Sequence, residues 1–304
     1  MKQRVTAILV ALALVGGAAY LRSVLHDDQA DRNATNRGGG TPVVACTPDL
    51  QAVCEALAAK GAIAAHTPTL DLDQASDVAA VKDLDGWITW DPAPGVANAA
   101  GTDPAWDEAL VLASAPLTLL LADNARPANC RAKVTWSCLA GSVPTETAIG
   151  LGDSQAAEGI VRIAPVATEL SEDRDYTTLD SNKLRALLSG PLVAIDEDAM
   201  VQGTALIIQN GSFAGVVGPE LLMERLAKSA QERGVTSEPV TPTFEATVVL
   251  APRAGGRGVG GLGDCSGRAA ADAALRGAGV APCTGKLAAD DLAGFLFQVR
   301  KKVG

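Results

Sequence analysis

Residues 110–122 read LVLASAPLTLLLA, and this stretch decides how the chain is divided. Two apolar runs, Leu110–Ala113 and Leu117–Ala122, are broken by Pro116. Each has strand length, and a proline cannot donate to a central ladder, so the break reads as the end of one strand and the start of another. A matching apolar run, FEATVVL, occupies residues 244–250. Upstream, PVVAC at 42–46 reads as a first strand. Asp49 to Lys60 carries Leu50, Val53 and Leu57 at helical spacing, with Gly61 at the C′ position. A short strand is expected near Ala62–Ala65, a helix over Asp73–Lys82, and a strand at Asp85–Trp90 with a turn before it. Alternating strand and helix signals predict an α/β layer with a parallel sheet.

Residues 123–148 are loop-like. Ser154–Ile160 starts a helix, and Leu179–Leu188 is another, stopped by Gly190-Pro191. Strands are expected at Ala205–Gln209 and Phe213–Val217 around Asn210-Gly211. A helix then opens at Gly218-Pro219-Glu220 with proline in its first turn and runs to about Arg233. Gly255–Gly263 is a glycine-rich loop, and helices over 267–276 and 287–302 close the chain.

The N-terminus sets the compartment. Lys2 and Arg4 precede a stretch from Val5 to Leu21 without a charged residue, just long enough to span a bilayer as a helix. A cleaved signal peptide and an uncleaved anchor compete here, and the short basic region with its long apolar run favours the anchor. Residues 1–25 are therefore expected to be a signal anchor or signal peptide. Residues 26–41, HDDQADRNATNRGGGT, form a flexible linker, and the rest lies outside the cytoplasm. Six cysteines fall as three local pairs, Cys46 with Cys54, Cys130 with Cys138, and Cys265 with Cys283. Six allow fifteen connectivities; clustering favours these three, and an exported chain favours disulfides. CxxC spacings and neighbouring histidines are missing, so no metal site is expected.

Composition narrows function further. The 304 residues carry a net charge of −10, and an acidic body repels phosphate backbones, so no nucleic-acid partner is expected. Gly152-Asp153-Ser154 has the look of an esterase nucleophile block, but the two histidines, His26 and His66, both precede it and no base follows. A helix N-cap is the simpler account. Gly256–Gly261 matches GxGxxG by letter without a helix opening at the glycines, so it reads as a loop. Asp71, Asp73, Asp77, Asp83 and Asp85 lack calcium-loop spacing and read as a solvated face. No catalytic residue, cofactor or metal is assigned, and the chain is not expected to be an enzyme.

The stretches PVVACTPDLQAVCEALA, LDGWITWDP, LASAPLTLLLADN, WSCLAG and FAGVVGPELL together resemble the type II periplasmic solute-binding fold. Within it, the chain is most similar to extracytoplasmic substrate-binding-like domains of actinobacterial membrane proteins, over about residues 42–252. The resemblance implies an α/β, two-lobed fold preceded by one N-terminal transmembrane helix. Residues 42–115 and 245–304 would form lobe one and 116–244 lobe two, with Leu117–Ala122 crossing out and Thr241–Ala251 returning. It implies ligand binding between lobes without chemistry, the contacts coming from strand ends and helix starts. Thr47, Thr89, Ser114, Ser154 and the turn from Gly218 to Glu220 would suit an anion. Asp91, Asp153 and Glu220 would suit a cationic or hydroxyl-bearing ligand, and Trp90 stands at a strand end beside the cleft. The alternative is a degenerate binding fold that serves as a protein-interaction or sensory module. The partners expected are a small solute or an envelope protein, and the membrane through the N-terminal helix. The protein would be single-pass with its domain extracellular, or secreted if the N-terminal segment is cleaved.

Overall fold

The structure is a computed structural model that describes residues 40–101, 105–122, 130–141, 149–151, 155–188, 215–230, 234–263 and 268–303. The chain opens with strand β1 (Val44–Cys46), wholly buried, followed by helix α1 (Gln51–Ala59). Val53, Cys54 and Leu57 form the buried face of α1, and Gly61 ends it at φ +69°, a conformation that suits glycine. The Cys46–Cys54 disulfide, with Cα atoms 6.1 Å apart, ties strand to helix as their clustering suggests. Residues 62–65 form bends rather than a strand, because this segment serves as a connection back to β1, through Ala64 N–H on Pro42 O and a bridge from Thr69 to Cys46. The helix expected over 73–82 shrinks to α2 (Leu72–Ala75), followed by turns. Asp77 ends it locally, its carboxylate accepting the Ala79 N–H.

Strand β2 (Gly86–Asp91) lies parallel to β1, and helix α3 (Ala93–Ala100) follows it. Trp87 is fully buried against Trp106, with ring centroids 5.3 Å apart. Strand β3 (Leu110–Ala122) then runs for 13 residues without interruption. Pro116 therefore lies inside one strand. Leu117 N–H donates to Phe244 O, so alternation turns the Pro116 nitrogen to the other edge of β3. The short strand on that edge stops at Ser114, so no ladder bond is lost.

The middle of the chain holds α4 (Trp136–Ala140), β4 (Ile149–Gly150), α5 (Ala157–Glu169), α6 (Ser181–Leu188), β5 (Gly215–Pro219), α7 (Glu220–Ala230) and β6 (Val235–Pro239). Pro219 ends β5 rather than starting α7, because it pairs with Leu117. The chain returns through β7 (Glu245–Pro252) and finishes with α8 (Ala269–Gly277), β8 (Ala281–Pro282) and α9 (Asp290–Val303). The strand expected at Ala205–Gln209 lies outside the described residues.

One sheet joins all eight strands, but β3 changes partners along its length. From Leu110 to Pro116 it pairs with β7, and at Ala113 and Ser114 also with β8. From Leu117 onward it pairs with β5 and β6. The first section is thus β1, β2, β7, β8 and the start of β3; the second is β4, β5, β6 and the end of β3. Among the described residues only β1–β2 and β4–β5 are parallel pairs, so the sheet is mixed. β3 and β7 run against their neighbours because the chain leaves and re-enters the first section along adjacent strands. The apolar core is continuous across the change of partners, from Val44 to Val299.

A second disulfide joins Cys130 and Cys138, with Cα atoms 5.4 Å apart. Cys283 is also disulfide-bonded; its expected partner, Cys265, lies outside the described residues. Among the described residues no helix is long and apolar enough to cross a membrane. The expected anchor at 1–25 and linker at 26–39 lie outside them.

Candidate functional site

The parallel strands β1 and β2 end side by side, and crevices at such ends are common ligand sites. Just past β1, Thr47 N–H donates to Ile88 O, and the chain turns into a short 3-10 helix at Pro48–Leu50. That turn carries Asp49 beneath the end of β2, where Trp90 Nε1 donates to Asp49 Oδ2 at 2.6 Å. Trp90 is only 3% exposed, so the indole and the carboxylate are withdrawn from water together.

Facing them is α5, from the segment between β3 and β7. Ten of its residues, from Ala157 to Ala167, are buried, Arg162 among them. Arg162 stands one helical turn beyond Glu158 on the same face. Burial lowers the pKa of Arg162, and the charges of Glu158 and Asp49 oppose that shift. A guanidinium starts so high that it keeps its proton at neutral pH. Burial raises the pKa of Asp49; the Trp90 bond, the charge of Arg162 and the Thr47 hydroxyl pull it back down. Thr47 thus acts on Asp49 through its dipole, although its Oγ1 closes no hydrogen bond of normal geometry.

Asp49 Oδ1 and Arg162 Nη1 are buried and without a hydrogen-bond partner. Asp49 follows β1 directly, whereas Arg162 lies on α5, which comes from the segment between β3 and β7 and packs against β2. Trp90, Leu117, Glu158, Val161, Arg162, Pro219 and Ala246 enclose a residual cavity of about 10 Å³, room for one water. The cavity is mostly apolar in its lining, with Glu158 and Arg162 as its charged members and Asp49 behind Trp90. A buried group without a partner calls for an explanation, a bound water or ion among them, and Trp87 Nε1 and Thr89 Oγ1 share that state.

The residues expected from sequence are distributed unevenly around this pocket. Trp90 lines it, and Thr47 stands beside Asp49 behind it. Thr89 is buried with its hydroxyl unpartnered, but strand alternation turns it to the opposite face from Trp90. Asp91 accepts the Ala288 N–H and is raised in pKa by burial, so it anchors the segment before α9. Ser114 Oγ lies 3.2 Å from Thr284 Oγ1 and belongs to the β3–β8 contact. Gly218 pairs with Thr118, and Glu220 opens α7; they flank Pro219, which lines the cavity. Asp153 and Ser154 lie outside the described residues. Asp49, Glu158 and Arg162 escaped the sequence reading. A lone arginine in the apolar run Ile160–Val166 was the signal that points to them.

The acidic residues at 71–85 do not converge. Among the described residues no group of three His, Cys, Asp or Glu side chains is placed to hold a metal. Asp85 instead accepts the N–H groups of Val43 and Arg257, each at 2.8 Å, fixing the entry to β1 and the glycine-rich loop.

No protein-family model and no curated protein matches the chain. Solved structures do. Iron-bound HitA from Pseudomonas aeruginosa is 11% identical, with a TM-score of 0.55, over 87% of this chain and 100% of that one. The Trichodesmium protein IdiA (FutA), in complex with iron and citrate, is 11% identical, with a TM-score of 0.51, over 87% and 99%. At such identities a likeness establishes the path of the chain and nothing about its ligand. The mixed α/β chain described here shares the fold of type II periplasmic solute-binding proteins.

Proposed function

We propose that this chain is a membrane-anchored, extracytoplasmic solute-binding-like protein that takes a small polar solute at the seam between the two sections and performs no covalent chemistry on it. Residues 1–25 act as signal anchor and 26–41 as tether; cleavage of the first segment would release the domain. Lobe one comprises 42–115 and 245–304, lobe two 116–244, and the lobes part to admit the solute and close over it. One observation carries the reading: Asp49 Oδ1 and Arg162 Nη1 have opposite charge, are both buried and are both unpartnered. A single group that accepts from Arg162 and donates to Asp49 satisfies both, and a hydroxyl does this. The shared fold supports a binding role, while the iron of the two solved structures has no counterpart in the donor set described here.

The test is a thermal-shift and tryptophan-fluorescence screen of the purified protein against polyols, hydroxy acids, amino acids and inorganic anions. A ligand at a hundred times its Kd adds about 2.7 kcal/mol to the unfolding free energy. Arg162→Met and Asp49→Asn should each abolish the response. A second reading has its own observation: only about 10 Å³ separates the two sides. On that reading the seam stays closed on its own side chains and the domain engages an envelope protein. A complete screen without a shift selects it.

A further inference from the structure

The seam is bridged a second time, far from Arg162. Helix α9 follows the return strand and packs along α3 of the first section, yet it also meets α5 and α6 of the segment between β3 and β7. Its polar contacts reach in the same two directions. Arg300 Nη2 donates to Asp73 Oδ1 at 2.7 Å and to Gln155 Oε1 at 2.7 Å. Asp73 lies in α2 of the first section, and Gln155 just precedes α5. Arg174 pairs with Asp291 at 3.0 Å. Lys302 donates to Tyr176 O and stands 5.6 Å over the Tyr176 ring, and Arg185 donates to Lys302 O.

These bonds are not an incidental fringe on a dry interface. A cavity of about 310 Å³ opens beside Arg300, lined by Asp73, Gln155, Phe297 and Lys301 as well. Leu296 and Val299 of α9 are buried in the core, so the polar contacts add to apolar packing along the helix. The Arg300 side chain is only 10% exposed while Asp73 is 76% exposed, so the guanidinium is held between its two partners but the pair itself stays open to solvent and salt.

We infer that α9 is a built-in clasp: Arg300, joining Asp73 to Gln155 with Arg174, Arg185 and Lys302 in support, keeps the seam shut whether or not a solute is bound. The inference rests on the reading of the seam as an interface that opens, and its test needs no solute.

Acrylamide quenching reads the seam directly. Of the four tryptophans, Trp90 lines the seam cavity, while Trp87 and Trp106 pack together and Trp136 donates to Pro242 O. In Arg300→Ala the quenchable share of the emission should rise by about one tryptophan in four. Gln155→Ala, which leaves the Arg300–Asp73 pair in place, should move it the same way. The rise should vanish when Arg300→Ala is compared with the parent in a Trp90→Phe background. Parent-like quenching in both single variants overturns the clasp. So does a rise that persists without Trp90, since that reports general loosening. A failed solute screen alongside a positive quenching result would remove the binding proposal and leave the clasp standing.

Discussion

Arg162→Leu is the perturbation that bears most heavily on the seam. The side chain is 5% exposed, and its charge is balanced by Asp49 and Glu158. Leucine fills part of the space but leaves Asp49 buried with the Trp90 bond, the Thr47 hydroxyl and its own backbone N–H to compensate it. Removing one member of a buried charge pair costs about 3–5 kcal/mol, a large share of the 5–15 kcal/mol that holds a typical domain together. The cost should depend on pH with a definite sign. Burial already raises the Asp49 pKa above 3.8, and losing the cation raises it further. A carboxyl with a raised folded pKa binds its proton more tightly in the folded state. Its penalty is absent below the unfolded value and complete above the folded one, so stability falls as pH rises between them. Arg162→Leu should therefore cost most at neutral pH and progressively less toward pH ~4. Urea denaturation of the parent, Arg162→Leu, Asp49→Asn and the double variant at both pH values measures this. The double variant should recover much of the loss, because asparagine still accepts from Trp90 Nε1 without carrying a charge. A loss under about 1 kcal/mol at neutral pH, within the range of ordinary substitutions, would refute the reasoning. An equal loss at both pH values, or a double variant no better than Arg162→Leu, would do the same.

Other expectations follow from single contacts. Trp90→Phe removes the bond to Asp49 and should cost about 1.5–3 kcal/mol in urea denaturation, the range for bonds to charged groups. Replacing Cys46 and Cys54 together with serine opens a loop with a sequence separation of 8 and should lower stability by about 2.5 kcal/mol, measured as a drop in Tm against the oxidised parent. Gly279 sits at φ +88°, and an added Cβ would stand 2.5 Å from Leu222 Cβ. Gly279→Ala should therefore cost more than the roughly 1–2 kcal/mol of the backbone conformation alone, and Leu222→Ala in the same chain should not relieve it, because the atoms met are the Cβ, N and Cα that alanine keeps; urea denaturation of both variants measures this.

Local patterns carried much of the first section. Buried PVVAC, the helical spacing of Leu50, Val53 and Leu57, and GWITW each produced the element expected, because pattern and burial act over a few residues. The cysteines paired as clustered for Cys46–Cys54 and Cys130–Cys138, since a short loop brings its ends together cheaply. Pro116 was misleading. Whether a proline breaks a strand depends on which edge its nitrogen faces, and that depends on where β8 stops. The segment at 62–65 has strand composition, but its backbone is used to close the turn onto Pro42. Helix α5 extends well beyond Ile160, to Glu169, and carries Pro165 inside it, a residue that reads in sequence as a helix break.

The seam divides along the same line. Thr47 and Trp90 were legible because they end strands, and strand ends in this kind of sheet line crevices. Asp49 looked like the start of a helix and Arg162 like one charge on an apolar face. Sequence by itself determined β1, α1 and β2, which cysteines are neighbours, and that an acidic body follows an apolar N-terminal run. The tertiary structure alone decided that β3 serves two sections, that α9 meets both, and that an aspartate and an arginine 113 positions apart act on each other's charge. Secondary structure answers to neighbours a few residues away, whereas a buried charge answers to whatever the folded chain sets opposite it, and sequence distance carries no information about that.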